Sequence, residues 1–378
     1  MHNKHYDIAI TGGGLAGLAL AIQAAKQGYA VVLFEKETYP YHKVCGEYIS
    51  LESWDFLLSL GIPLNELQVP IIRQLVVTSP NGNIFQHALP LGGFGISRYK
   101  LDLLLFELAT KTGVTVLQET KVTDVQFNND LFTLQTTAGT FTATTAAACF
   151  GKRSNLDVKW KRSFIVQKPN KLNNYIGVKY HIRYPHPVDT IALHNFENGY
   201  CGISKIEEDR SCLCYLTTAG NLQKSNNNIQ QMEKEILYTN PHLQQIFTQA
   251  EFLYEAPVTI SQISFEPKQQ VEDHLLMIGD AAGMITPLCG NGMSMALHAS
   301  KLAFQQINLF LQQQITRAEM EAAYSSNWQQ QFAKRVRTGR LIQRLFGKSV
   351  VTNMFVQLVK TLPFVAKPLI RLTHGRSY

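Results

Sequence analysis

Tyr6-Asp7-Ile8-Ala9-Ile10-Thr11-Gly12-Gly13-Gly14-Leu15-Ala16-Gly17 is the stretch on which the reading of this chain turns. Residues 7–11 are a short apolar run of the kind that makes a buried parallel strand, and they run directly into a G-x-G-x-x-G. Leu15, Leu18, Ala19 and Ile22 then recur at helical spacing, and Gly28 ends that helix. Residues 30–34, Ala-Val-Val-Leu-Phe, read as a second strand with Glu35 at its C-terminal end. Gly12 allows the tight turn, Gly14 lets a pyrophosphate approach the backbone, and Gly17 lets helix and strand pack closely. The N–H groups of Leu15 and Ala16 open the helix, whose positive end holds phosphate. Glu35 lies 18 residues past Gly17, where a carboxylate accepts hydrogen bonds from the hydroxyls of an adenosine ribose, and Lys36 follows it. An acid at this position disfavours a 2′-phosphate, so FAD or NAD is expected here and NADP is not.

The chain has 378 residues, 45% apolar and 17% charged, which is ample for a large core and for two domains. No apolar leader precedes the first strand, and no run of about 18 apolar residues is present. A cytoplasmic protein without a spanning helix is expected. The six cysteines form no zinc pattern, so no metal site is expected and the thiols read as reduced and mostly buried. The net charge of +7 is concentrated: the last 57 residues carry ten Lys/Arg and no Asp or Glu, against 25 basic and 28 acidic residues before them. No nucleic-acid module accompanies this excess. Phe346, Met354, Phe355, Leu358 and Phe364 are interleaved with it, in two helical patterns at 332–346 and 350–361, followed by Pro363 and Pro368. This tail is expected to pack on the nucleotide domain, with peripheral contact to the inner face of a membrane as a second role.

Between these ends, residues 71–79 and 84–89 read as strands around a Pro-Asn-Gly-Asn turn, and residues 101–111 as an apolar helix. Residues 114–117, 120–128 and 131–136 continue as strands. From 165 to about 265 the alternation of apolar and polar residues predicts an antiparallel sheet, interrupted by helices at 228–238 and 242–250. His181, His194, Tyr200 and Tyr215 are polar groups on these strands, open to either a structural or a substrate-facing role.

Three further motifs carry a family resemblance. Lys43-Val44-Cys45-Gly46-Glu47 resembles the loop beside the flavin ring in geranylgeranyl-reductase-like and halogenase-like flavoproteins, which implies that Cys45 and Gly46 lie against the flavin. Arg98-Tyr99-Lys100-Leu101-Asp102 is similar to the arginine motif of class A flavoprotein monooxygenases, where the arginine reaches the FAD. By the same resemblance the backbone of Val122 meets the adenine. Gly279-Asp280-Ala281-Ala282-Gly283, followed by Pro287 and by Gly290-Asn291-Gly292-Met293, resembles the second FAD fingerprint of the p-hydroxybenzoate-hydroxylase-like superfamily. It implies that Asp280 binds the ribityl chain and that the helix opening at 290–293 presents N–H groups to the flavin pyrimidine. It also implies that Pro287 shapes the space above the ring.

The resemblance thus implies an α/β fold: a Rossmann-like FAD-binding domain interrupted by an antiparallel-sheet substrate domain, with a helical C-terminal tail. The expected segments are 1–70, 95–165 and 265–330 for non-covalent FAD, 71–94 and 166–264 for a small hydrophobic substrate, and 331–378 for the basic tail. Cys45, Tyr200 and Pro287 are the expected substrate-facing residues. Two chemistries share this frame: a monooxygenase that hydroxylates or epoxidises an aromatic, polyketide or lipid-like substrate, and a reductase that saturates isoprenoid double bonds. A non-enzymatic FAD-binding or membrane-docking protein is the alternative from another class. Phe150-Gly151 stands where relatives carry Asp-Gly in a motif linked to NADPH. The electron donor is therefore open between NADPH or NADH and a separate protein.

Overall fold

The computed structural model describes residues 5–166, 174–345, 348–361, 375, 377 and 378. The strand His5–Thr11 lies inside the first sheet, where Ile8, Ala9 and Ile10 are fully buried. It pairs in parallel with Val31–Phe34 on one side and Gly139–Ala148 on the other. The sheet extends to Thr115–Leu117 at one edge, and through Leu275–Met277 to Val271–Glu272 at the other. A hairpin, Val122–Asn128 with Leu131–Thr136, joins antiparallel to Gly139–Ala148.

Gly139–Ala148 is a central strand that the sequence reading passed over, because its threonines and alanines give little apolar signal. Its value is its slimness: Ala146, Ala147 and Ala148 are buried between neighbouring strands and covering helices. The helix Leu15–Lys26 packs against Gly292–Leu311 on one side and Arg98–Lys111 on the other. Fully burying each Leu or Ile of these helices contributes about 1.5–3 kcal/mol.

The second sheet runs from Glu251–Phe252 through Tyr175–Arg183, Ser211–Thr218, Gly199–Lys205, Thr190–Phe196, Ile71–Thr78 and Ile84–Gly95 to Tyr48–Ser50, with Val258–Ile263 also on Tyr175–Arg183. It is mixed, not purely antiparallel. Thr190–Phe196 pairs in parallel with Ile71–Thr78, so the early hairpin and the later strands form one surface. One other expectation is corrected: the strand expected at 84–89 continues to Gly95, where it pairs with Tyr48–Ser50, a strand directly after Lys43–Glu47. Met232, Leu237, Leu243, Ile246 and Phe247 of the helical segments cover one face of the sheet.

Residue 331, where the basic tail was expected to begin, lies inside a helix. That helix is Arg317–Leu345, and Met320, Tyr324, Trp328, Phe332 and Val336 recur at helical spacing to bury against the first domain. A last helix, Ser349–Thr361, packs across the strands Ile84–Gly95 and Thr190–Phe196 of the second sheet. Phe346, Pro363, Phe364 and Pro368 fall outside the described residues. Among the described residues, no helix is long and apolar enough to cross a membrane.

Candidate cofactor and substrate site

Gly12 has φ +102°, and a Cβ there would stand 2.5 Å from the Cys149 carbonyl oxygen, so the turn admits only glycine. Gly17 abuts the Gly12 carbonyl in the same way. At Gly14 the neighbours are different. A Cβ would lie 3.7 Å from Arg98 Nη2 and 3.9 Å from Lys43 Nζ, so two cations face the first turn of the helix Leu15–Lys26.

Both cations are held by one buried carboxylate. Arg98 Nε and Nη2 donate to Asp102, each at 2.8 Å, and Lys43 Nζ lies 2.9 Å from Asp102 Oδ2. Burial alone would raise the Asp102 carboxyl, but Arg98 and Lys43 overcome it and hold it below its usual range. Burial likewise opposes the charge on Arg98, and Asp102 restores it. Two cations against one anion leave a surplus positive charge beside a helix N-terminus. This is the electrostatic description of an anion cradle, and its residues fit the pyrophosphate of FAD. Ser97 fixes the entry to the Arg98 helix: its Oγ accepts the Lys100 N–H at 3.1 Å, and its own N–H donates to Glu207, in the turn between Gly199–Lys205 and Ser211–Thr218, at 2.8 Å.

Glu35 is buried at the end of its strand and accepts the Gly13 N–H at 2.9 Å and the Glu37 N–H at 3.1 Å. Burial and the nearby Glu35 carboxylate push the Tyr41 hydroxyl well above its usual range. A carboxylate has about four acceptor sites, so Glu35 keeps acceptor capacity for ribose hydroxyls beside these backbone N–H groups. Tyr39 donates from its hydroxyl to the Gly13 carbonyl and stacks on Phe106, narrowing the same corner. The Thr120 N–H bonds the Glu35 carbonyl at 2.9 Å and brings buried Val122 alongside. Lys36 does not join this group: its side chain is 67% exposed and pairs with Glu37.

The loop from His42 to Glu47 ties the helix Arg98–Lys111 to the second sheet. Glu47 is fully buried; one oxygen takes the Lys179 ammonium and the Arg98 backbone N–H (2.8 Å), and the other lies 2.6 Å from His181 Nε2. Burial pushes this carboxyl up, yet Lys179 and His181 bring it down to about 2. Tyr254 bonds the other His181 nitrogen at 2.7 Å and reaches His42 at 3.0 Å. His42 is held down to about 4 by burial, then by Lys179 and His181. Glu47, His181 and Cys212 lie close enough to share a metal ion. Lys179 already supplies the cation there. The sequence reading missed Lys43, Glu47 and Lys179 as site residues; a lysine inside the otherwise buried strand Tyr175–Arg183 was the available signal.

In this loop Cys45 is half-buried, its carbonyl accepts from the Cys212 thiol, and Gly46 faces open space. The second fingerprint meets the first at Gly279 (φ +67°), where a Cβ would stand 3.3 Å from Ala16 Cβ. Asp280 is half-buried, and Lys268 holds its backbone carbonyl at 2.8 Å. Burial lowers Lys268 to about 8 against the pull of Asp157 and Asp280. Gly290 adopts φ +63° over the Tyr48 ring, whose buried hydroxyl has no protein partner. Asn291 and Met293 are buried at the start of the helix Gly292–Leu311.

Pro287 is exposed at the head of the turn Pro287–Cys289. Beside it the other face of the second sheet contributes Tyr175, Tyr200, Leu216, Ile263 and Phe265 to an apolar cluster that includes Met284, with Leu288 at its edge. The Tyr200 hydroxyl is buried there without a partner. His194 and Tyr215 lie elsewhere: His194 bonds Thr78 at 2.9 Å, and Tyr215 donates to Glu233 at 2.8 Å.

Two glycine fingerprints at the parallel strands of one mixed sheet, an anion cradle at the first helix and a second sheet laid over the junction define a flavin-dependent oxidoreductase. Residues 5–325 match the FAD binding domain family, and the chain belongs to it. Among relatives, it is 25% identical to conditioned medium factor receptor 1 of Dictyostelium discoideum over 79% of this chain, and the match spans 62% of the receptor's length. It is 24% identical to digeranylgeranylglycerophospholipid reductase 1 of Methanothermobacter thermautotrophicus, over 79% of this chain and 76% of the reductase. The solved structure of a flavin-dependent brominase superposes with TM-score 0.79 at 21% identity, covering 98% of this chain and 93% of the brominase.

Proposed function

We propose that this flavoprotein is an FAD-dependent oxygenase that hydroxylates or epoxidises a small apolar substrate bound between the second sheet and the turn Pro287–Cys289. The observation that carries this reading is the apolar cluster around Tyr200 and Met284, which contains a single unpartnered hydroxyl. A buried hydroxyl without a partner costs about 1–3 kcal/mol, and a substrate with one hydrogen-bonding group on an apolar frame satisfies it.

FAD supplies the redox chemistry when bound. The protein's part is to hold and orient. Gly14, Arg98 and Lys43 take the pyrophosphate, Glu35 the adenosine ribose, and Asp280 and the N–H groups at 290–293 the flavin end. The apolar cluster excludes water. The loop Lys43–Glu47, with Cys45 beside the open space at Gly46, favours a second reading in which the same site reduces an isolated double bond. Electrons come from NADPH or NADH, or from a separate donor protein.

One experiment separates the readings. Holoprotein photoreduced under argon is mixed with a panel of apolar phenols and prenyl lipids, with and without ¹⁸O-labelled dioxygen. Uptake of one labelled oxygen atom is the expected result. A gain of two hydrogens under argon establishes the reductase reading, and unchanged substrates throughout overturn both. Bleaching by NADPH or NADH in a parallel stopped-flow run identifies a direct donor; slow bleaching is expected because Phe150 replaces the customary acid.

A further inference from the structure

We infer that the outward face of the last helix, formed by Val350, Val351, Met354 and Leu358, docks this protein onto an anionic lipid bilayer together with Leu341. The inference is independent of which redox reaction the flavin site performs. Helical spacing puts those four residues on one stripe, and they are 71%, 36%, 69% and 46% exposed. Leu341, near the end of the preceding helix, is 59% exposed. The opposite side of the same helix is already occupied. Thr352 and Val356 are buried, with Val356 and Phe355 packed on Phe85 and Val77 of the second sheet. The helix is also anchored at its start, where the Ser349 N–H donates to Glu197 Oε2 at 3.2 Å. The helix therefore needs one face for its own fold and presents a second apolar face outward. Large contiguous apolar patches on a protein surface mark interaction sites.

Charge decides the partner. No Asp or Glu follows Glu321 in the chain; Lys348 and Lys360 are exposed at the two ends of the helix that carries the stripe, and Lys334 and Arg337 are exposed on the helix before it. A second copy meeting the same patch in a two-fold contact would bring these cations against their own equivalents, with no acid in either tail to offset them. Nucleic acid would use the cations and leave the apolar stripe in water. An anionic bilayer accepts both: the valines, methionine and leucines enter the headgroup–acyl boundary while the basic side chains stay with the phosphates.

The test is co-sedimentation of the full-length holoprotein with vesicles of phosphatidylcholine alone or of phosphatidylcholine and phosphatidylglycerol at 3:1. Binding to the mixed vesicles should exceed binding to the neutral ones by on the order of tenfold, and fall toward the neutral level in about 0.5 M NaCl. The double variant Val350→Glu/Met354→Glu should lose that binding while keeping its flavin content and thermal midpoint. Wild-type protein that ignores both vesicle types overturns the inference, as does a variant that binds like wild type. A wild-type dimer that the double substitution dissociates assigns the stripe to a second copy and overturns it too. A lowered thermal midpoint in the variant would show that the chain covers the stripe itself, with the same consequence.

Discussion

Arg98–Asp102–Lys43 and Glu47–Lys179–His181 are two buried ion clusters that share the loop 43–47, and they differ in their charge balance. In the first, two cations surround one carboxylate beside Gly14, at the start of the helix Leu15–Lys26. In the second, one carboxylate is matched by one ammonium, with the His181 ring and the Arg98 backbone N–H completing its hydrogen bonds and Tyr254 bonding the far side of His181. The first has charge left over for an anion. The second has none, and it ties the loop 43–47 to the strand Tyr175–Arg183. Uncompensated charge marks where a ligand belongs, and compensated charge marks a joint. Glu233 extends the comparison. Among the described residues no cation pairs with this buried carboxylate; the hydroxyls of Tyr180 and Tyr215 donate to it, and burial pushes it up to about 7.

The largest effect should follow from breaking the joint. Lys179→Met leaves Glu47 buried without its ammonium, which should cost about 3–5 kcal/mol in urea unfolding, and adding Glu47→Gln should recover part of it. The Glu47 carboxyl is held below its usual 4.5, so its contribution is present above pH 4.5 and is lost as the pH falls toward 2. A Lys179→Met protein within 1 kcal/mol of wild type would remove the distinction between joint and cradle.

Glu233 should show the opposite pH dependence. Between pH 4.5 and about 7 the unfolded chain ionises while folded Glu233 keeps its proton, so its contribution to stability falls as the pH rises through that window. Glu233→Gln removes this loss. The variant should match wild type at pH 4 and exceed it above pH 7, by up to about 3 kcal/mol from a shift of roughly 2.5 pKa units. Parallel pH profiles of the thermal midpoint would show that Glu233 ionises normally in the fold.

The smallest change in free energy, and the one that bears on function, should come from the cradle. Arg98→Ala removes a charge-assisted contact to pyrophosphate while Lys43 still pairs Asp102. FAD affinity should drop by about 1.5–3 kcal/mol, roughly 10- to 150-fold, with a smaller loss of stability than Lys179→Met shows. Flavin titration and urea unfolding of the two variants read this directly. If Arg98→Ala unfolds readily but binds FAD normally, the two clusters have exchanged roles.

What the sequence determined by itself is local. A strand, a glycine turn, a helix and an acid follow one another within residues 6–38, and the turn at Gly12 admits no other residue, so the nucleotide fold was legible before any contact was known. The fingerprint at Gly279–Met293 was legible for the same reason, and so was the hairpin at 71–89. What lay beyond reach was decided by partners distant in the chain. Glu47 and Lys179 are 132 residues apart, and neither signals the other by spacing. The alanines of Gly139–Ala148 form a central strand only because neighbouring strands and helices close over small side chains, and Thr190–Phe196 runs parallel to Ile71–Thr78 because the second sheet is assembled from two separated stretches. Backbone geometry and short-range periodicity are written residue by residue. Charge balance, sheet order and which face of the last helix is buried arise only when remote segments share the same low-dielectric interior.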